Sequence, residues 1–345
     1  MYNNDLFLQP KVTQHNSHMV MTNVHKETKT KHWNIDTRFR DDYDNYAQIT
    51  KGSLISGYTF TLPQSINDVK SIQVSNAEIP LSFFNISTAL GNNSMFATNA
   101  TTRKLVTIPD GFYNPVSLTY STNSNSTAAA IGSSMPFRLA VNNAITSSIT
   151  GTGITNIIFD ISQNGVPKTS FRNATTGDIT IAFPVKATNT CEGNKYGGDT
   201  GNADFDKHNF KSKLGWLLGF RNIIYTIPPG ATQTSEGILD LNTPRYLYLV
   251  VDEFTSSNTN SFISPLSSSI INKNILAKIT IDYKNYSFGQ VIAANRTNGL
   301  LISDKRSYNG KVNIQKLKIQ LVNEYGIPMN LNGLDFSFCL EIKYE

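Results

Sequence analysis

The sequence predicts an all-β protein, an antiparallel jelly-roll sandwich with long loop insertions and a few short helices. Apolar and polar residues alternate in many short segments, as in strands with one buried face. The predicted helices are too few and too short for the alternating strand–helix units of a parallel sheet. Loops rich in Ser, Thr and Asn separate the strands, as at the ends of a jelly roll.

The predicted strands are short alternating segments between turn residues. The clearest lies at the C terminus, where every second residue from Leu334 to Tyr344 is apolar. Tyr246–Val251 is continuously apolar, which predicts a strand that is covered on both faces. Further strands are predicted at Tyr58–Leu62, Ile72–Ile79, Leu105–Ile108, Ile157–Ile161, Ile179–Val185 and Ala277–Tyr283.

Two signals near the C terminus concern strand pairing. Asn309-Gly310 is a strong hairpin signal, so the final strand is expected to pair with the strand that follows this turn. In that following strand the apolar positions change parity near Gln315-Lys316. A change of parity in a two-residue period predicts a β-bulge there.

Three short helices are predicted, at Asn114–Leu118, Ser134–Ile149 and Phe210–Leu218. The third is weakened by Gly215 and by Gly219 just beyond it. Loops of low complexity are predicted at Thr119–Ser134, Thr188–Asn209 and Thr255–Ser269.

Composition excludes several classes of protein. Charged residues are only 16% of the chain, hydrophobic residues 39% and aromatic residues 10%, which does not fit a disordered chain. No apolar run reaches the roughly 18 residues of a membrane-spanning helix. The two cysteines, Cys191 and Cys339, are expected to be free thiols in a reducing compartment.

Residues 1–33 are predicted to form a basic, extended N-terminal arm, and residues 34–345 a jelly-roll domain with insertions. The arm is polar and poor in apolar residues, and its lysines are Lys11, Lys26, Lys29 and Lys31. The net charge of the whole chain is +5, which permits contact with nucleic acid without requiring it.

The sequence contains no recognisable catalytic motif, such as a nucleophile elbow, a Walker loop or an H-E-x-x-H pair. His208 is the one histidine of the predicted β region, and no partner for a triad is indicated. We therefore predict that the chain is not an enzyme, that it has no catalytic residues and that it needs no cofactor.

Two groups of carboxylates were considered as sites. Asp199, Asp204 and Asp206 lie on a Gly-rich loop and are a weak calcium candidate, but their spacing does not match an EF-hand. An ordinary Asx-turn loop is the favoured alternative. Asp252-Glu253 ends a buried strand, and because neighbours on a strand face opposite ways, ion pairing is predicted rather than a catalytic pair.

The segment between arm and sandwich mixes aromatic and basic residues. Trp33, Arg38, Phe39 and Arg40 faintly resemble the pattern of a nucleic-acid-binding surface. The favoured alternative is that Trp33 and Phe39 anchor the arm on the sandwich.

Six segments carry a resemblance to a known family. They are Asn34–Arg40, Ala77–Pro80, Thr107–Tyr113, Leu214–Arg221, Tyr246–Phe254 and Val312–Tyr344. In this order they resemble minor capsid and penton-type proteins of large nucleocytoplasmic DNA viruses over residues 34–345. The Leu-Gly-Trp-Leu-Leu-Gly-Phe-Arg block at Leu214–Arg221 is the most specific of them.

The resemblance implies a structural protein of an icosahedral virion shell, of penton (vertex) or minor capsid type. It implies assembly in the host cytoplasm and location in the virion. The expected partners are copies of the chain itself and other capsid proteins, including the major capsid protein, with no small-molecule substrate. The chain is too short for a double jelly-roll major capsid protein, which favours one jelly roll.

A shell protein works by packing against its neighbours, and two sets of residues are hypothesised to serve this. The arm is expected to thread beneath adjacent subunits and to order on binding, with Trp33, Arg38, Phe39 and Arg40 as its anchor. The second set is an anchor for either core packing or an intersubunit contact: Leu214, Gly215, Trp216, Gly219, Phe220 and Arg221.

Two alternative functions stay open at this point. One is a receptor-binding or glycan-binding β-sandwich module of the virion surface. The other is a nucleic-acid-associated virion protein whose basic arm contacts nucleic acid, with the inner membrane as another candidate partner of the arm.

Overall fold

The computed structural model describes residues 27–40, 57–113, 137–151, 154, 156–162, 166–183, 210–254 and 274–345. The helices are α1 (Phe137–Ile149) and α2 (Leu214–Leu217). The strands are β1 (Lys29–Asp36), β2 (Gly57–Pro80), β3 (Ser94–Thr98), β4 (Arg103–Thr107), β5 (Ile157–Ile161), β6 (Thr169–Asn173), β7 (Ile179–Ala182), β8 (Ile224–Ile227), β9 (Thr232–Thr234), β10 (Tyr246–Asp252), β11 (Ile275–Thr280), β12 (Val291–Asn295), β13 (Leu301–Ile302), β14 (Arg306–Asn323) and β15 (Ser337–Tyr344). None of the helices in these ranges is long and apolar enough to span a membrane.

Eight strands form one large antiparallel sheet in the order β1-β15-β2-β14-β10-β11-β13, with β12 also on β2. β2 is 24 residues long and lies at the centre of this sheet. Its N-terminal part pairs with β14, and its C-terminal part pairs with β12 and β15.

The large sheet curls on itself because β2 bends. Trp33 of β1 lies level with Leu340, and Leu340 lies level with Val74 of β2. The Trp33 ring nevertheless contacts the ring of Phe60, with centroids 6.1 Å apart. Phe60 precedes Val74 by 14 residues, a separation of about 45 Å in a straight strand. The two halves of β2 therefore contribute to opposite layers of a sandwich.

The apolar interior of the described residues forms two large clusters and a small third one. The first lines the inside of the curled sheet, for example with Leu249, Ile319 and Phe338. The second lies among a four-stranded sheet (β4-β3-β7-β8), a three-stranded sheet (β5-β6-β9) and the two helices. The prediction of an antiparallel, jelly-roll-like all-β fold with few short helices is confirmed, whereas the division at residue 33 into arm and domain stays a prediction.

The two predicted strands at Tyr58–Leu62 and Ile72–Ile79 are one strand, β2. The first predicted strand ends just before Pro63, but β2 continues through this proline. Ile314 of β14 pairs with Ile66 of β2, and Lys316 pairs with Thr61. Between these two pairs β14 advances by two residues, whereas β2 spans five. The bulge predicted near Gln315-Lys316 is thus confirmed, and because its extra residues lie on β2, it accommodates a proline that lacks an N–H.

The predicted hairpin at Asn309-Gly310 is wrong. β14 runs through this dipeptide without reversing, and the residues on both sides of it pair with β2. Gly310 has φ +104°, and the register shifts between Ser307 and Val312. The conformational freedom of the glycine therefore serves an irregularity inside a strand and not a turn.

The predicted pairing of the last strand is also wrong. β15 pairs with β1 and β2, and β2 lies between β15 and β14. The expected alternation holds from Phe336 to Ile342, whose apolar members are buried, but Leu334 is exposed and precedes the strand.

Other predictions have mixed outcomes. β10 is covered on both faces, as predicted, because Leu249 joins the first cluster while Val250 packs with Ile275 and Val322. α1 lies within the predicted Ser134–Ile149, and α2 is only a short part of the predicted Phe210–Leu218. Several predictions concern residues outside the described ranges. These are the helix at Asn114–Leu118, all three low-complexity loops, Cys191 and residues 1–26 of the arm. The last residues of the predicted arm, from Lys29, belong to β1.

Candidate functional site

The Leu214–Arg221 block lies against the second apolar cluster. Leu214 and Phe220 are buried within it. A Cβ placed on Gly215 would lie 2.6 Å from the Phe183 ring, and Gly219, with φ +92°, is pressed against the backbone of Gly237. Both glycines therefore allow a close approach that no other residue could make.

The outer part of the block is a cation–π pair. The Arg221 guanidinium carbon lies 3.9 Å from the centroid of the half-buried Trp216 ring. Arg221 Nη1 also donates hydrogen bonds to the carbonyls of Trp216 at 3.2 Å and Phe220 at 3.0 Å. Arg221 is exposed, so this pair is the part of the block that a neighbouring molecule can reach.

A second group of contacts fixes the backbone beside this pair. The Tyr225 hydroxyl donates to the Glu236 carboxylate at 2.8 and 2.9 Å. It accepts the backbone N–H groups of Arg221 at 3.0 Å and Asn222 at 2.8 Å. Burial is the main cause that raises the pKa of Tyr225, and the hydrogen bond with Glu236 adds to it. These hydrogen bonds hold the backbone at the end of the block in place, and the hypothesised intersubunit role of the block stays a prediction.

The structure places the residues predicted to anchor the arm in different environments. Trp33 packs on the curled sheet, as described above, but Phe39 is 75% exposed and does not. Between them, the Asp36 side chain caps the 3-10 turn at Thr37–Phe39 and forms an ion pair of 2.5 Å with Arg38. The hydrogen bond from the Arg38 side chain is the main cause that lowers the pKa of Asp36. The turn thus holds Phe39 in solvent, with Arg40 directly after it.

Sequence reasoning missed a stack of aromatic side chains near the connection from β2 to β3. The ring centroids of Phe112 and Phe288 are 5.2 Å apart, those of Phe84 and Phe288 6.2 Å, and those of Phe112 and Tyr283 6.1 Å. All four residues lie in loops and turns, where no periodic pattern signals a shared location.

Several exposed apolar residues lie at one end of the large sheet. Asp36 pairs with Ser337, Ser337 with Glu78, and Val291 with Pro80, which places the ends of four strands side by side. We define the sheet-end surface as Phe39, Phe84, Phe288, Val291 and Leu334. Phe288, Val291 and Leu334 are 45%, 52% and 51% exposed, and Phe39 is the most exposed.

The carboxylates considered as sites do not form one in the described ranges. Asp252 accepts the backbone N–H of Phe254, while the adjacent Glu253 forms a buried ion pair with Arg306, so ion pairing at this strand end is confirmed. Asp199, Asp204, Asp206 and His208 lie outside the described residues. Across those residues, no three His, Cys, Asp or Glu side chains are grouped to hold a metal ion.

The comparisons with known proteins include a distant likeness to a solved structure. No protein-family model and no curated protein sequence matches the chain. Among solved structures, the chain is similar to the crystal structure of the selenomethionine-labelled mavirus penton protein. The two share 11% identity with a TM-score of 0.42, and the match covers 93% of this chain and 100% of that chain.

Proposed function

We propose that this chain is a structural protein of an icosahedral virion shell, of penton (vertex) or minor capsid type. It acts by packing against other subunits and has no catalytic role. The observation that carries the proposal is the sheet-end surface, where large apolar side chains collect at one end of a curled sheet. Soluble monomers rarely expose extended apolar patches, and such patches are typical of contact surfaces between proteins.

The rest of the molecule fits the demands of a shell subunit. The central strand of 24 residues contributes to both layers of the sandwich, so the two layers form one closely packed body. The six segments that resemble minor capsid and penton-type proteins all lie within the described residues of this body. One of them, Asn34–Arg40, carries Phe39 of the sheet-end surface.

The partners in this proposal are copies of the chain and other capsid proteins, in the virion. A subunit that presents one apolar surface to a different surface of its neighbour forms a head-to-tail contact, and such contacts close into a ring only at the right rotation. The N-terminal arm is proposed to reach beneath an adjacent subunit from the Lys29 end of β1. That end lies beside Tyr344, opposite the sheet-end surface.

The proposal is tested by incorporation of variants into particles. Phe39→Ser with Leu334→Ser should fold normally yet lose most of its incorporation, because both side chains are more than half exposed in the single chain. Ile238→Ser is the matched control, since Ile238 is 52% exposed but lies outside the sheet-end surface. Normal incorporation of the double variant, or absence of the wild-type chain from purified particles, would overturn the proposal. The copy number relative to the main shell protein distinguishes a vertex subunit from a minor lattice component.

A further inference from the structure

The two apolar clusters are joined at the polar connector between Leu241 and β10. Asp240, next to this connector, donates its backbone N–H to the Leu217 carbonyl at 2.8 Å. Its carboxylate forms an ion pair of 2.5 Å with Arg245 at the other end of the connector. From the β14 side, the Tyr325 hydroxyl donates to the Lys211 carbonyl at 3.3 Å. These contacts link elements of the second cluster to strands of the first.

Glu324 lies at this junction, where the backbone N–H groups of Glu324 and Arg245 hydrogen-bond its carboxyl group. It directly follows β14, and its Oε2 atom is buried without a hydrogen-bond partner among the described residues. Arg245 is the cation that acts on it, but the Arg245 guanidinium is already paired with Asp240. The junction therefore holds two carboxyl groups and one guanidinium, so both carboxyl groups cannot be ionised and fully paired at once.

The titratable groups that interact with Glu324 are Asp240, Arg245, Tyr248, Tyr283 and Tyr325. Arg245 is the cation of this set. Burial is the main cause that raises the pKa of Glu324 to about 7, and the Asp240 charge adds to it. Burial likewise raises the pKa of each of Tyr248, Tyr283 and Tyr325, so these tyrosines stay neutral while Glu324 titrates.

We propose that Glu324 is a pH-responsive latch between the two clusters. When its carboxyl group is neutral, Arg245 stays on Asp240 and the connector is closed. When the carboxyl group loses its proton, the carboxylate competes with Asp240 for Arg245, water enters the junction, and the connector loosens. The latch is closed in mildly acidic solution and opens as the pH rises through neutrality.

Tryptophan fluorescence of the full chain tests this directly. The chain has two tryptophans, so Trp33→Phe leaves Trp216 as the reporter. The Lys211 ammonium lies 5.8 Å from the Trp216 ring centroid, and the Lys211 carbonyl accepts the bond from Tyr325. Between pH 5.5 and 8.5 we expect a sigmoidal change in Trp216 emission with a midpoint near pH 7.

Matched variants distinguish the latch from other titrations. Glu324→Gln keeps the shape of the neutral carboxyl group, so its emission should stay at the acidic value across the range. Glu341→Gln is the control, because this acid pairs with Arg296 on the large sheet away from the junction, and it should retain the full transition. A flat wild-type curve, or a transition that persists in Glu324→Gln, would overturn the proposal.

A second measurement covers the case in which Glu324→Gln fails to fold. Carbon-13 NMR of the glutamate side chains in the unaltered chain follows each carboxyl group separately. A resonance of Glu324 that titrates near pH 7, together with pH-dependent hydrogen exchange at the Asp240 amide after correction for intrinsic rates, supports the latch. Titration of Glu324 near pH 4.5 would refute it.

Discussion

Arg306 and Glu253 form an ion pair in the interior of the large sheet, with Nη1 and Oε2 2.7 Å apart and side chains that are 1% and 0% exposed. Arg306 also donates to the Val251 carbonyl at 2.7 Å and to the Ile275 carbonyl at 3.0 Å. It thus satisfies backbone groups of β10 and β11 close to the point where their register shifts between Leu249 and Val250.

Loss of the arginine should therefore be severe. Arg306→Met removes the cation from a buried carboxylate and the side-chain donors from two backbone carbonyls, and we expect it to lower the free energy of unfolding by about 3–5 kcal/mol. Urea denaturation measures the change. Arg296→Met is the control, because its pair with Glu341 is 42% and 19% exposed and a pair of this kind contributes at most about 1 kcal/mol. Equal losses in the two variants would contradict a special role for Arg306.

Gly215 tests whether the Leu214–Arg221 block is packed as tightly as its geometry indicates. In Gly215→Ala the new Cβ would lie 2.6 Å from the Phe183 ring, so the ring or the backbone must move. Overpacking of this kind costs about 1–3 kcal/mol, measured as a lower melting temperature.

The control for this substitution is Gly177→Ala, since a Cβ there meets no atom within 4 Å. We expect that variant to match the wild type or to exceed it slightly in stability. If Gly215→Ala left stability unchanged, the block would have room that the structure does not show.

The sequence anticipates features that depend on neighbouring residues and misses those that depend on distant ones. The alternation of β15 is local, and its inward residues Phe338, Leu340 and Ile342 are buried as predicted. Which strand β15 pairs with is decided by β2, more than 250 residues earlier, whose two edges pair with different strands. A dipeptide such as Asn309-Gly310 cannot report whether the strand before it already has a partner.

The candidate surfaces show the same limit. The resemblance drew attention to Trp216 and Arg221, and the structure places them in contact. The aromatic stack combines Phe84, Phe112 and Phe288 from separate loops, and nothing local distinguishes an exposed phenylalanine from a buried one. The buried role of Arg306 was equally hidden, because an arginine beside a polar turn predicts a solvent-exposed side chain.

Asn85 hydrogen-bonds to two other segments of the chain, at Tyr113 and at Leu241. Its Nδ2 donates to the carbonyls of Tyr113 and Leu241, both at 2.8 Å, and its Oδ1 accepts the Tyr113 N–H at 2.9 Å. Asn85→Ala removes three hydrogen bonds to backbone groups, although the Leu241 carbonyl keeps the Thr243 N–H at 2.9 Å, so we expect a loss of about 2 kcal/mol in chemical denaturation.

Asn85→Asp separates the two functions of this amide. An ionised aspartate can still accept the Tyr113 N–H but presents an acceptor to two carbonyls, so in its ionised form it should be at least as destabilising as alanine. Asn67→Ala is the surface control, and its change should stay within about 0.5 kcal/mol. A tolerated Asn85→Asp would show that the donors do not matter.

The stability of the whole chain should fall as the pH rises through the titration of Glu324. Its pKa is raised from 4.5 to about 7 in the folded state, mainly by burial. Between these two values the folded chain binds more protons than the unfolded chain, so raising the pH favours unfolding. The shift corresponds to a stabilisation of at most about 3 kcal/mol, which is lost progressively from pH 4.5 to about 7, and no further loss is expected above that pH.

Urea denaturation of wild type and Glu324→Gln at pH 5 and pH 8 measures this loss. The glutamine variant should lack the decrease in stability, because an amide has no proton to release. A wild-type chain that gains stability over this interval relative to Glu324→Gln would show that Glu324 is ionised and well paired in the folded state.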